Sequence, residues 1–522
     1  MSFKRIAGLL IMLVIATTAC VREPQESFEK IEQRSLRAWI EKYHPELLAN
    51  YQEEGGYYVE ILKEGDNTEP ISGKDVWVWF DITARNLQGN ILETRSAEIA
   101  EQIATYSNYT HYIPAVRFSG KDNHTLMEGT YLATFNELKI GDELFGVRKN
   151  TKLRLYLPSS VTGTTTNTAD GGYEGEFQAD ESKPMIVDLT IYGHVENPVE
   201  YEGERIEGFA DVNGGLCTDH KVIKEEESEK SYIRRYTTRT EESDEEEEVD
   251  TRPLEFFDGR WHQPIDTLEH LLVNYSYTPE VPIDFKNSIG IDTLKYPGEN
   301  IYNAGRIYGN NQMSDVDRRI NEALIERFGK GISKDEVLEA DSLKTKSSAK
   351  IWYIGRFLDG FIFDTNIDEV KQIIYGEVAS EGEALTFQTA DPTENEYILA
   401  WNYSLPTLRY GQWAAILSAS TYAYGISGKV GSHSTTSSTD SSYYDYASYY
   451  NYMNYMNNYY GYGYGGMYNN NYYGYNPYYY GYNYGYDAYP STGTVTTTTT
   501  TSAEIPAYSP LLFQVFVENP TE

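Results

Sequence analysis

The chain has 522 residues, of which 40% are apolar and 23% charged, so packed cores are affordable and roughly 150 residues per domain suggests three or four units. A formal net charge of −36 argues against a nucleic-acid partner, because phosphate backbones are held by clustered Lys and Arg. Two cysteines, Cys20 and Cys217, cannot make a disulfide framework, and with eight His they leave little for a zinc site; no metal and no cofactor are expected.

Lys4 and Arg5 precede a short apolar run, Ile6 to Ala19. A run this short cannot span a hydrocarbon core of about 30 Å as a helix, so residues 1–19 read as a signal peptide. Thr17-Thr18-Ala19-Cys20 resembles a bacterial lipobox, with Thr where Leu usually stands three positions before the cysteine. The resemblance implies lipidation of Cys20, a membrane anchor there, and an outer-membrane lipoprotein facing the periplasm or the cell surface. Its body would be strongly acidic.

In residues 20–55, the segment Glu26 to Tyr43 carries Phe28, Ile31, Leu36, Trp39 and Ile40 at roughly helical spacing, with Pro45 as a stop. This predicts a helix that packs on the first domain. Residues 56–200 read as short strands, including Tyr57 to Leu62 and Val76 to Phe80. Residues 201–345 read as an irregular intervening region with an acidic linker, Glu241 to Asp250. Within it, Ser314 as cap, Val316, Ile320, Leu324 and Phe328 as one face, and Gly329 as stop predict one helix. Cys217 reads as a lone thiol without a catalytic partner, and His262 and His270 as packing or surface residues. Strands return in 346–522, interrupted by an insertion at 432–502. Within the insertion, Tyr443 to Tyr489 contain 22 tyrosines in 47 residues, with Gly and Asn supplying most of the rest. That composition favours a long irregular loop, and its tyrosines offer wide amphipathic contact area.

The last domain has a recognisable order of motifs. A strand from Ile351 to Phe357 leads through Leu358-Asp359-Gly360 into Phe361-Ile362-Phe363-Asp364. Tyr397-Ile398-Leu399-Ala400-Trp401 opens a short helix, then come Gln412 to Leu417, Tyr422-Ala423-Tyr424-Gly425, and finally Ile505-Pro506 before Leu511 to Val517. The DG-x-x-FD turn, the Ile-x-x-Trp pair, the YAYG segment and the closing strand together resemble the FKBP-type peptidyl-prolyl isomerases over 349–431 and 503–518. The resemblance implies an α+β fold, an antiparallel sheet wrapped on one short helix, and places the tyrosine-rich insertion between the last two strands.

It also implies roles. Trp401 is the floor under a proline ring, with Tyr353, Phe363, Ile505 and Phe513 as walls. The Ile398 backbone N–H and the Tyr424 hydroxyl bond substrate carbonyls, and Asp364 sits beside the twisting imide and orients Tyr353. Tyr397 stands where a small aliphatic is usual and Ala400 where Gly is usual, which would reshape the rim. The expected partners are proline-containing polypeptides exported to the cell envelope. A non-enzymatic binding lipoprotein, using the same scaffold and the tyrosine-rich loop to hold protein or glycan, is the alternative.

Residues 57–197 resemble the same fold with its pocket eroded. Leu92 and Glu93 replace the Phe and Asp of the turn, Tyr131 takes the tryptophan position, Thr162 that of the hydroxyl-bearing tyrosine, and Val187 that of a wall phenyl. The expected architecture is therefore two FKBP-like sheets, the first without activity.

Overall fold

The computed structural model describes residues 27–72, 76–119, 126–162, 184–217, 252–265, 268–285, 313–343, 348–376, 381–389, 396–425, 428–429, 431, 433–439, 494–500 and 503–520. The leader with Cys20, the acidic run Glu241 to Asp250 and the tyrosine block Tyr443 to Tyr489 lie outside them. Among the described residues, no helix is long and apolar enough to cross a membrane.

The predicted N-terminal helix forms as α1 (Phe28–Tyr43), and Pro45 starts a 3-10 turn in its place. Leu36 and Ile40, one turn apart, are fully buried against Leu47, Tyr58 and Tyr156. One turn earlier, Glu32 accepts hydrogen bonds from the Ser159 backbone N–H at 3.0 Å and hydroxyl at 2.6 Å.

Nine strands follow: β1 (Tyr51–Gln52), β2 (Tyr57–Lys63), β3 (Val76–Asn86), β4 (Ile91–Thr94), β5 (Ala115–Ser119), β6 (Leu138–Ile140), β7 (Glu143–Phe145), β8 (Thr151–Leu157) and β9 (Met185–Val195). The antiparallel sheet runs β1-β2-β8-β9-β3-β4, with β5 on the other half of β3; β6 and β7 form a small hairpin. Two short helices interrupt the strands, α2 (Ala97–Gln102) and α3 (Glu128–Phe135). Leu132 and Ala133 of α3 pack into the core made by Val59, Val78, Leu155 and Val187.

The second unit begins earlier than the sequence pattern suggested. Helix α4 (Pro198–Val212) is capped by the Asn197 side chain, which accepts from the Glu200 N–H, and Pro198 presets its first turn. After α5 (Arg252–Phe256), strand β10 (Leu271–Asn274) pairs with β14 (Trp413–Ser418). The remaining elements are α6 (Asp315–Phe328), β11 (Ser348–Phe357), β12 (Ile362–Thr365), α7 (Asp368–Tyr375), β13 (Leu385–Gln388), α8 (Leu399–Ser404), β15 (His433–Thr439), β16 (Thr494–Thr500) and β17 (Leu511–Val517). Their sheet runs β10-β14-β17-β11-β12, with β13 on the other half of β11.

Apart from β1, which has no counterpart, this is the order of the first sheet, with β2, β8, β9, β3, β4 and β5 replaced by β10, β14, β17, β11, β12 and β13. The repeat includes the leading helix. Glu202, Ile206 and Ala210 on α4 share the spacing of Glu32, Leu36 and Ile40 on α1, and Glu202 accepts from the Ser420 hydroxyl at 2.8 Å and also from its backbone N–H. The stretch expected to be an irregular intervening region, 201–345, therefore supplies a helix and an edge strand to the second sheet, and the unit starts near Pro198 rather than at 346. Four residues of β10 are too short to show a strand period; pairing with β14 defines the strand.

The α6 helix forms as predicted, with Ser314 accepting from the Asp317 N–H at 3.1 Å and Gly329 closing it at φ 75°. It covers the outer face of the second sheet. Successive residues of β11 alternate between faces: Ile351, Phe357 and the half-buried Tyr353 join the cluster around α8, while Trp352 and Ile354 join the cluster around α4, α6 and α7. Arg356 points to the α6 side. It is 1% exposed and donates to Asp317 at 2.7 Å, Gln514 at 2.6 Å and the Gly360 carbonyl at 3.0 Å.

Candidate active site

The site is built on the inner face of the second sheet. The four-residue β12 follows the Asp359-Gly360 turn and sets Phe363 and Asp364 in successive positions, one facing the core and the other half-buried at its edge. Phe363 lies against Gly355 of β11: a Cβ at Gly355 would meet the ring at 2.5 Å, so only glycine allows that close approach.

Trp401 enters from α8 and is 4% exposed. Around its indole, Tyr353 lies at 4.9 Å and 72°, Phe513 at 5.5 Å and 82°, and Tyr397 at 5.8 Å and 49°, centroid to centroid. Phe363 meets Phe513 edge-on at 5.8 Å. Such tilted contacts are the favoured geometry for rings whose faces are negative and edges positive. Ile505 is buried in the same cluster, and Ile398 and Tyr424 pack against it half-exposed. The eight apolar and aromatic residues singled out from the sequence thus share one cluster, and Asp364 joins them through Tyr353, whose hydroxyl donates to its carboxylate at 2.9 Å.

Electrostatics follow from that layout. Burial, and next the Asp364 charge, push the Tyr424 phenol up to about 12. The same two causes, in the same order, raise the Tyr353 phenol well above its ordinary range. Both therefore stay neutral hydrogen-bond donors at physiological pH. Lys429 Nζ stands 5.6 Å from the centre of the Tyr424 ring. Among the described residues no Arg or Lys forms an ion pair with Asp364; a phenol takes that place. The Trp401 indole N–H is buried and has no hydrogen-bond partner among the described residues.

Tyr397 reaches out of the cluster. Its ring lies near-parallel to Phe387 at 6.2 Å, and its hydroxyl donates to the Thr386 carbonyl on β13 at 2.9 Å, so it is pinned as part of the rim. Ile398 is the residue before α8, and its carbonyl accepts from the Trp401 N–H at 3.0 Å.

Asn366 is a site residue that no sequence motif marks. Its Oδ1 accepts from the Tyr353 N–H at 2.8 Å, and its Nδ2 donates to the carbonyls of Ile351 and Glu383, both at 3.0 Å, which locks β11 against the segment after β12. An Asn two residues past the DG-x-x-FD turn has no spacing signal of its own. Among the described residues the first sheet shows no comparable ring cluster: Tyr131 pairs with Phe135 at 5.2 Å, Val187 is a buried core residue, Leu92 is 49% exposed, and the Thr162 hydroxyl is spent on the Ser159 carbonyl at 2.9 Å.

No protein-family model matches the chain, and no curated protein matches it in sequence. Solved structures similar to it include the three FKBP domains of wheat FKBP73, at 11% identity and a TM-score of 0.18, covering 90% of this chain and 95% of that one. FkpA from Escherichia coli is 11% identical with a TM-score of 0.19, covering 37% of this chain and 72% of that one. A peptidyl-prolyl cis-trans isomerase from Pseudomonas syringae is 14% identical with a TM-score of 0.19, covering 33% of this chain and 98% of that one. Among the described residues the topology is a mixed α+β fold with two large antiparallel sheets, each with a short helix packed in its core, and two two-stranded ribbons.

Proposed function

We propose that the second unit is a peptidyl-prolyl cis-trans isomerase of the FKBP type. The single observation that carries this reading is the joining of the Trp401 ring cluster to a phenol–carboxylate pair, Tyr353 and Asp364, with a second neutral phenol, Tyr424, beside them. Rotation about a prolyl bond faces a barrier of about 18–20 kcal/mol set by amide resonance. Water favours the planar, polar ground state, whereas an apolar aromatic setting favours the twisted imide. Lowering the barrier by about 4 kcal/mol gives roughly a thousandfold acceleration, and rotation breaks no covalent bond. Trp401 would floor the proline ring, Phe363, Phe513, Ile505 and Tyr353 would wall it, Tyr397 would shape its rim, and the Tyr424 hydroxyl and Ile398 N–H would hold the flanking carbonyls.

The wider reading is an envelope lipoprotein anchored at Cys20 that acts on exported, proline-containing chains. It is supported by the basic start, the apolar run and the Thr17 to Cys20 ending. The first unit, with the same strand order but, among the described residues, no comparable ring cluster, is a degenerate FKBP-like copy serving as a docking or bracing module.

The test is catalysed isomerisation of a short Xaa-Pro peptide by the whole chain. A rate indistinguishable from the uncatalysed one rejects the proposal. A second reading, a binding lipoprotein without turnover, is favoured by one feature: β15 and β16 pair as a ribbon whose base is the Lys429–Ile505 bridge, beside Tyr424. It requires ligand binding that disappears when 433–502 is deleted.

A further inference from the structure

Cys217, which read as an isolated thiol in the sequence, is not isolated in the fold. Its N–H donates to the Trp261 carbonyl at 2.8 Å, and the Trp261 N–H donates to the Gly215 carbonyl at 2.9 Å, so residues 215–217 run beside 261. The next residue, His262, exchanges two hydrogen bonds with Val273 on β10, at 2.9 and 2.7 Å. Gly214 lets these segments close: a Cβ there would lie 2.3 Å from the Gly259 carbonyl oxygen. The Asp258 carboxylate is oriented by the Arg260 backbone N–H at 2.9 Å, the Arg260 Nε at 2.7 Å and the His262 Nε2 at 2.8 Å. The result is a sulfur, a nitrogen and an oxygen ligand atom, one each from Cys217, His262 and Asp258, all within 4.8 Å of one another.

We propose that Cys217, Asp258 and His262 form a binding site for a divalent transition metal of the zinc class. Thiolate, imidazole and carboxylate together suit a borderline-soft ion and not magnesium or calcium, which take all-oxygen sets. Zinc–ligand distances of about 2.0–2.3 Å require the three atoms to draw in by roughly an ångström, a movement of side-chain ends that leaves the hydrogen-bonded backbone in place. Cys217 and His262 are buried and Asp258 is on the exposed side, so a fourth position faces water. Bound metal would tie together the two ends of the excursion between Cys217 and Asp258, which contains the acidic run, and fasten both to the edge strand β10. Closing a long excursion restrains the unfolded chain most, so the expected effect is on the stability of the second unit. This site is independent of the isomerase reading.

The test uses the full chain carrying Cys20→Ser, which leaves Cys217 as the sole thiol, titrated with cobalt(II) and then displaced with zinc. One equivalent of cobalt should bind with a thiolate-to-cobalt charge-transfer band, and zinc should abolish the band and raise the melting temperature. Cys217→Ser should lose the band. His262→Gln should weaken binding by at least the roughly hundredfold that loss of an outer-shell partner costs at a metal site. Asp258→Asn, on the exposed side, should keep the fold by circular dichroism and weaken binding without removing the band. Absence of the band in the chain that retains Cys217 overturns the proposal, whatever the variants do. So does affinity in the Cys217→Ser and His262→Gln chains unchanged from the parent's, because nonspecific binding by an acidic chain needs neither residue.

Discussion

His111 of the first unit and Asp359 of the second, 248 residues apart, share a hydrogen bond of 2.6 Å from imidazole Nε2 to carboxylate. The imidazole lies near-parallel to both Phe357 and Phe361, at 4.5 and 4.4 Å between ring centres. The other carboxylate oxygen of Asp359 accepts from the Phe361 N–H at 3.0 Å. A side chain of the first unit therefore braces the turn that delivers Phe363 and Asp364 to the ring cluster. Tyr109 stacked on Tyr375 at 3.9 Å and Trp77 edge-on to Tyr508 at 4.6 Å extend the same contact.

If that brace couples the units, a double-mutant cycle of His111→Ala and Asp359→Asn should show an interaction of about 1.5–3 kcal/mol, the range for hydrogen bonds to charged groups. Calorimetry of either variant should resolve the unfolding of the two units further apart than in the parent. Additive losses and an unchanged transition would show that the contact carries no coupling.

Tyr424→Phe should lower kcat/KM for a short Xaa-Pro peptide by roughly tenfold, the value of one hydrogen bond to a substrate carbonyl, with the fold unchanged by circular dichroism. Asp364→Ala should cost at least as much, because it also releases Tyr353. Full activity in both variants would move the chemistry away from this cluster.

The pH dependence follows from the raised Tyr424 phenol. A group held up to about 12 keeps its proton, and so its donor, well past the ordinary tyrosine value of 10.0. The peptide assay should therefore show no loss of rate attributable to Tyr424 between pH 8 and roughly pH 10, where an ordinary tyrosine would be half ionised. A falling limb centred near pH 10 that vanishes in Tyr424→Phe contradicts the assignment.

The paired clamps separate stability from activity. Glu202→Ala and Glu32→Ala should each destabilise their own unit by about 2 kcal/mol, because each leaves the backbone N–H of a serine, Ser420 or Ser159, without its acceptor. Only Glu202→Ala should also slow isomerisation, since Ser420 opens the turn that leads to Tyr424. Burial raises the Glu202 carboxyl despite the Ser420 donors that oppose it. With the folded value above the unfolded one, the proton favours folding: the contribution is full at acid pH and is lost as pH rises through the folded value. Relative to Glu202→Gln, the parent chain should gain stability as pH falls, as urea unfolding at acid and neutral pH would show.

Where structure is local, the sequence was enough. The apolar faces of α1 and α6, the Pro45 stop of α1, and the Ser314 cap and Gly329 stop of α6 are written in local spacings, and the backbone obeys them wherever side chains one turn apart share a face. The DG-x-x-FD turn, Trp401 on a short helix and the ring cluster were expected from the resemblance that the ordered motifs carry, not from spacing, because the rings come from residues as far apart as Tyr353 and Phe513. The edge strand β10, the second unit's start near Pro198, the brace between His111 and Asp359, Asn366 behind Tyr353, and the meeting of Cys217 with Asp258 and His262 had no local signature. Each is a pairing across tens to hundreds of residues, settled only when the sheets close and bring distant backbone donors and acceptors into register.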